Sequence, residues 1–184
     1  MAFWIVVAAV TFSLGQTQRQ QRSPSPDLKM ALTVRSTQQS YRMSDTVPLE
    51  VQLTNTGTNP LYLFDDVCWN PGNFLTIHVF TTDGKEVSGK LEYLRDCLPP
   101  PPRRDDISSF IRLEPRTFYG VQEDFTAREL VPGPGDYDIV VHYEAALSAD
   151  WIAKYGGAKM ANLPIWTRDR PLLTSNHVRV SFAP

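Results

Sequence analysis

The side chains of this 184-residue chain that could do chemistry are few and widely spaced. Its histidines and neighbouring acids are His78, His142, His177, Asp65-Asp66 and Asp105-Asp106. Adjacent strand residues face opposite sides, so neither acidic pair predicts the facing carboxylates of an acid–base dyad. The chain contains no nucleophile elbow, zinc-protease helix, phosphate loop or dinucleotide fingerprint. The sequence therefore predicts a protein that is not an enzyme and holds no cofactor.

Two places in the sequence could bind a metal ion. His142 and His177 have the parity of outward-facing strand residues, so two imidazoles on neighbouring strands could hold copper or another metal ion. Asp65-Asp66 offers carboxylates of the kind that calcium prefers. Exposed polar strand positions and solvated turns explain the same residues without a ligand. We therefore predict no metal site.

The two cysteines, Cys68 and Cys97, are predicted to form a disulfide bond. Apolar side chains alternate over 75–79, and Asp83-Gly84 then predicts a two-residue hairpin turn. That turn would place Cys97 opposite Asn70, close to Cys68. A metal-binding or redox pair is the alternative, but the CxxC spacing typical of one is absent.

The first 15 residues contain no Lys, Arg, Asp or Glu and are mostly apolar. They are fewer than the roughly 20 residues that span a bilayer, so they predict a signal peptide, with Ser13 and Gly15 at the cleavage positions. An uncleaved anchor is the alternative. Residues 16–27 are polar and broken by prolines, which predicts a flexible lead-in. We expect a secreted or periplasmic protein with no transmembrane helix after leader removal.

Alternation of apolar and polar residues predicts that residues 28–184 form one all-β domain. Apolar side chains share one face over 28–34, 47–53, 137–143 and 178–182. The 15 prolines and 10 glycines fall largely between such runs, as they do between strands joined by turns. The pattern predicts an antiparallel β-sandwich of about seven to nine strands, with a short helix in an insertion before the last strand.

One segment resembles a feature of immunoglobulin-like and fibronectin-type sandwiches. Leu130-Val131-Pro132-Gly133-Pro134-Gly135-Asp136-Tyr137 resembles their tyrosine corner. The resemblance implies an immunoglobulin-like fold in which the Tyr137 hydroxyl bonds the backbone of Gly133. With the runs at 47–55 and 60–63, the chain is also similar to bacterial domains related to an intracellular proteinase inhibitor. That similarity implies proteinase inhibition as an alternative function.

Residues 145–175 are an insertion that a minimal sandwich does not require. Ser148 is predicted to cap a short helix that ends at Gly156-Gly157. The candidate binding residues of the insertion are Trp151, Tyr155 and Trp166. Aromatic rings provide large contact area at low entropy cost, which favours a role in binding. Packing of the same rings onto the sheet is the alternative.

The sequence as a whole favours a recognition protein. A formal net charge of −2 gives no electrostatic basis for binding nucleic acid. We predict an exported, non-catalytic recognition or assembly module that binds a protein or glycan partner. The alternatives are a proteinase inhibitor and, after it, a metal-binding protein or an enzyme.

Overall fold

The computed structural model describes residues 28–65, 67, 74–87 and 101–184. The predicted signal peptide, the lead-in, Asp66 and the predicted disulfide between Cys68 and Cys97 lie outside the described residues. None of the helices formed by the described residues has both the length and the hydrophobicity that crossing a membrane requires.

Ten strand segments make up nearly half of the described residues. They are β1 (Met30–Ser36), β2 (Ser40–Arg42), β3 (Thr46–Asn55), β4 (Leu61–Phe64), β5 (Phe74–Thr81), β6 (Phe110–Leu113), β7 (Phe118–Thr126), β8 (Gly135–Glu144), β9 (Leu173–Thr174) and β10 (Val178–Ala183). The helical segments are a 3₁₀ turn (Ile107–Ser109), α1 (Ala127–Leu130), α2 (Ala149–Trp151), a π-helical turn (Ile152–Gly156) and α3 (Gly157–Ala161).

Two sheets enclose the main core, as the sequence predicts. One sheet has the strand order β1-β3-β7, and the other has the order β2-β10-β8-β5, with β9 also paired to β8. The strands β4 and β6 form a separate antiparallel pair. The all-β sandwich, with a helical insertion before its last strand, is confirmed.

The inward faces of the strands follow directly from the alternation in the sequence. In β3, Val47, Leu49, Val51 and Leu53 are each at most 1% exposed. The intervening residues Pro48, Glu50, Gln52 and Thr54 are half-buried. Each fully buried aliphatic side chain contributes about 1.5–3 kcal/mol to folding relative to an exposed one, so this alternation fixes which face meets the other sheet.

One pairing departs from the antiparallel pattern that the sequence predicts. The chain leaves the first sheet after β1 and joins the second at β2, where Tyr41 lies beside Phe182 of β10 in a parallel pair. The Tyr41 hydroxyl accepts the Gln38 N–H at 3.0 Å and lies 2.7 Å from the Ser36 hydroxyl. These bonds fix the segment that crosses from the first sheet to the second. Because β2 then runs in the same direction as β10, the two strands form a parallel pair.

The turn after β5 also differs from prediction. The Thr81 N–H donates to the Lys85 carbonyl at 2.9 Å, and Phe80 is bridged to Glu86, so the loop has three residues instead of two. Gly84 occupies the left-handed region with φ 83°. A turn followed by a left-handed glycine is the common three-residue hairpin loop. The extra residue shifts the predicted register by one and moves Glu86 to the face of the sheet that carries His78.

The tyrosine corner inferred from resemblance is present. The Tyr137 hydroxyl donates to the Gly133 carbonyl at 3.0 Å, and the tyrosine is only 6% exposed. Its ring also packs edge-on against Phe182 with centroids 6.0 Å apart. The bond satisfies a backbone carbonyl that leads into β8, the central strand of the second sheet.

Replacing Tyr137 with Phe tests this corner. The change keeps the ring and removes the hydroxyl, so we expect the free energy of unfolding to fall by about 1 kcal/mol. Urea denaturation measures the loss. Tyr155→Phe is the matched control. Tyr155 is 49% exposed, so this variant should unfold like the wild type. Equal stability of Tyr137→Phe and the wild type would contradict a stabilising corner.

Candidate binding groove

Consecutive helical runs in the insertion, which we together call the insertion helix, comprise α2, the π-helical turn and α3. Ser148 begins it as predicted, since its hydroxyl accepts the Trp151 N–H at 3.1 Å. As predicted, the first helical run ends at Gly156-Gly157, because Gly157 leaves helical geometry with φ 78° and ψ −179°. The chain then turns into α3, which ends near Asn162. The glycines therefore separate two helical runs, and the second run is the part that the sequence did not predict.

Asp105 bonds both helical runs at the point where the glycines separate them. Its backbone N–H donates to the Gly156 carbonyl at 2.8 Å, and its Oδ1 accepts the Lys159 N–H at 2.7 Å. A Cβ atom at Gly157 would lie 2.5 Å from this carboxylate, so only glycine fits. Asp105 itself is held at φ 61°. We call these contacts the Asp105 clasp. Asp105 is therefore a half-buried turn residue whose carboxylate also bonds the insertion helix.

The insertion helix and the β4–β6 pair share a core of their own. Its buried residues are Phe64, Phe110, Leu147, Ile152, Met160 and Ile165. After the helix, the chain runs along β4: the Tyr62 N–H donates to the Pro164 carbonyl at 3.0 Å, and the Trp166 N–H donates to the Tyr62 carbonyl at 2.9 Å. Strand, helix and return segment therefore form one packed unit on the side of the sandwich.

This unit leaves an open groove of about 830 Å³ between the insertion helix and the β4–β6 pair. Its apolar lining includes Pro60, Tyr62, Ile152, Met160, Leu163 and Ile165. Arg112, Asp150 and Arg170 add charge to the lining. Arg112 pairs with Glu114 at 2.8 Å, and both side chains are more than half exposed. The groove thus combines an apolar floor with charged groups near solvent.

The three aromatic residues predicted to bind a partner have three different environments. Trp166 is 5% exposed and belongs to the main core, so the packing alternative describes it. Tyr155 is 49% exposed, and Trp151 is half-buried with its ring centroid 5.6 Å from that of Tyr155. None of the three is among the described residues that line the groove. The insertion itself does line the groove, through other residues.

Sequence reasoning missed two groove residues, Tyr62 and Arg112. They face each other on β4 and β6, and each contributes to the same side of that pair. The alternation of Leu61 and Leu63 toward the core indicates that Tyr62 points outward. Nothing in the sequence indicates that β6 is its neighbour.

The histidines assemble differently from the prediction. The ring contact that His142 makes is with His78, at a centroid distance of 4.3 Å, and not with His177. Burial lowers the pKa of His142, the neighbouring His78 lowers this pKa further, and the Glu86 carboxylate acts in the opposite direction. In the described part of the chain, no group of three or more His, Cys, Asp or Glu is arranged to hold a metal ion.

Asp65 contacts an aromatic hydroxyl. The Tyr119 hydroxyl lies 3.5 Å from its Oδ1. Burial raises the pKa of Tyr119, and the negative charge of Asp65 adds to the shift. This contact gives Asp65 a structural neighbour between β4 and β7.

Solved structures resemble this chain only loosely. No protein-family model and no curated protein matches the chain. The sporulation control protein Spo0M from Bacillus subtilis matches with a TM-score of 0.42 and 8% identity, over 84% of this chain and 49% of Spo0M. The chain thus spans about half the length of that protein. A CARDB domain from Pyrococcus furiosus, solved in complex with di-metal ions, has a TM-score of 0.36 and 10% identity, over 85% and 89% of the two chains.

A third match is the β-glucosidase EmGH1 from Erythrobacter marinus, with a TM-score of 0.37 and 12% identity, over 85% of this chain and 16% of the enzyme. Because all three TM-scores are low, the fold assignment rests on the strands of this chain. No activity or partner is carried over from these proteins.

The burial of Trp166 and the exposure of Tyr155 lead to a direct comparison. Trp166→Ala removes a buried indole, so we expect the free energy of unfolding to fall by about 3–5 kcal/mol. Tyr155→Ala, the matched surface change, should alter it by less than about 0.5 kcal/mol. Chemical denaturation of both variants checks this. A Trp166→Ala protein as stable as the wild type would contradict the packing described here.

Proposed function

We propose that this protein is an exported, non-catalytic recognition module whose groove binds an extended segment of a protein partner. The observation that carries the proposal is the position of the groove. The groove lies between the β4–β6 pair and the insertion helix, and both of these are additions to the two-sheet sandwich. These additions pack on each other through a core of their own, and the half-buried Pro60, Tyr62 and Leu163 leave apolar surface open to solvent.

The dimensions of the groove favour an extended chain. Lining residues come from both parts of the insertion helix, over 149–153 and 160–162, on either side of the break at Gly157. The groove has a volume of about 830 Å³, within the range of pockets that bury a small ligand, so it accommodates a few residues of an extended peptide.

The chemistry of the lining specifies the segment further. The apolar floor favours aliphatic or aromatic side chains at alternate positions of the partner. The exposed pair of Arg112 and Glu114 contributes little to stability, so a carboxylate of the partner can replace Glu114 at small cost. We therefore propose a partner segment with apolar residues and at least one acidic residue.

The proposed location rests on the N-terminal sequence. An apolar leader of 15 uncharged residues favours export to the periplasm or the medium. In that setting Cys68 and Cys97 would form a disulfide, since exported cysteine pairs meet an oxidising compartment. The partner would then be another protein of the envelope or the medium.

A selection from displayed random peptides tests the binding proposal. We expect enriched peptides to combine apolar residues with an acid and to bind the purified protein in fluorescence anisotropy. Ala153→Arg introduces a large side chain into the groove and should weaken binding about tenfold or more. Ala158→Arg is the matched control, since Ala158 is also exposed on the insertion helix and does not line the groove. It should bind within about twofold of the wild type.

The other outcomes separate the alternatives. Failure to enrich any peptide, or equal binding by both arginine variants, would contradict the proposal. If the protein binds a glycan array and Ala153→Arg loses that binding, the ligand of the groove is a glycan and not a peptide. Tight inhibition of a protease in a broad panel, unchanged in Ala153→Arg, would instead support the inhibitor alternative.

A further inference from the structure

Two histidines meet on the outer face of the second sheet, away from the groove. His78 of β5 and His142 of β8 lie on adjacent antiparallel strands and are diagonal neighbours, since His78 faces Val140 and His142 faces Thr76. Their rings are tilted by 41° with centroids 4.3 Å apart. Val140, beside them, is only 3% exposed although it lies on the outer face. The pair therefore sits in a partly apolar patch of the surface.

A carboxylate orients the first histidine. His78 Nδ1 lies 2.7 Å from Glu86 Oε1, at a position where donation from Nδ1–H leaves Nε2 unprotonated. This contact depends on the three-residue loop after β5, which places Glu86 on the same face as His78. A carboxylate that accepts one ring N–H of a histidine is the usual outer partner of a metal-binding imidazole.

We propose that His78 and His142 bind a divalent transition-metal ion, with Glu86 as the residue that positions His78. Neutral imidazole is a preferred ligand of zinc, copper and nickel, and Zn–N distances are about 2.0–2.1 Å. Two rings in contact can bring one nitrogen each to such an ion. Water completes the coordination, because the described residues supply no third histidine, cysteine or acid in ligating position.

The pair is partly shielded from water, because His142 is only partly exposed and the buried Val140 lies beside it. His177 provides a natural comparison, since it is exposed and lies next to β10 outside this contact.

Titration of the purified chain with zinc and with copper tests the site. We expect one ion per chain, bound at least about tenfold more weakly in His78→Gln and in His142→Gln. His177→Gln, the matched control, should keep the wild-type affinity. Glu86→Ala should weaken binding about tenfold or more while both ligands remain, which is the effect of losing an outer partner.

Imidazole nitrogen resonances of the wild-type protein give a second measurement that needs no variant. Addition of zinc should shift the ring signals of His78 and His142 and leave those of His177 in place. Binding that survives in both His78→Gln and His142→Gln, or that is lost in His177→Gln, would overturn the proposal. Zinc-induced shifts confined to His177 would do the same.

Discussion

The Asp105 clasp is the constraint on which the groove depends. A single carboxylate accepts the Lys159 N–H, and the same residue donates its own N–H to the Gly156 carbonyl. These two bonds fix the middle of the insertion helix against the loop that leads into β6. Because the helix forms one wall of the groove and the β4–β6 pair forms the other, the clasp sets the distance between them.

The clasp also explains two backbone conformations that would otherwise be costly. Asp105 at φ 61° and Gly157 at φ 78° both occupy the left-handed region. Aspartate tolerates that region better than most residues, and glycine has no Cβ to collide with the carboxylate. With these two conformations, Asp105 bonds the Gly156 carbonyl and the Lys159 N–H while its carboxylate lies close against Gly157.

The sequence predicted the parts of the fold that depend on local pattern. Alternation over 47–53 identifies β3 and its buried face, and the segment ending at Tyr137 identifies the corner before β8. Ser148 is recognisable as a cap because its hydroxyl bonds a nitrogen three residues away. In each of these places, the contact that determines the structure lies within a few residues, or the two-residue period of the strand determines which face is buried.

The features that the sequence did not predict depend on contacts between residues far apart in the chain, or on one extra residue in a loop. The helical run α3, beyond the predicted end at Gly156 and Gly157, is bonded by Asp105, some fifty positions earlier, and no local pattern indicates that contact. One extra residue in the turn before Lys85 moves Glu86 to the other face, and so to His78. Trp166 is buried because its backbone pairs with Tyr62, a contact that no pattern near Trp166 indicates.

Hydrogen exchange on two variants of Asp105 tests most directly whether the clasp holds the groove wall. Asp105→Gly accepts φ 61° without strain and lacks the carboxylate, whereas Asp105→Asn keeps an acceptor oxygen in place. We expect the glycine variant to lose protection at the Lys159 amide and along α3, with the amides of β3 and β8 unchanged. The asparagine variant should stay close to wild type. Unchanged protection at Lys159 in Asp105→Gly would contradict this role of the clasp, as would an equal loss of protection throughout β3 and β8.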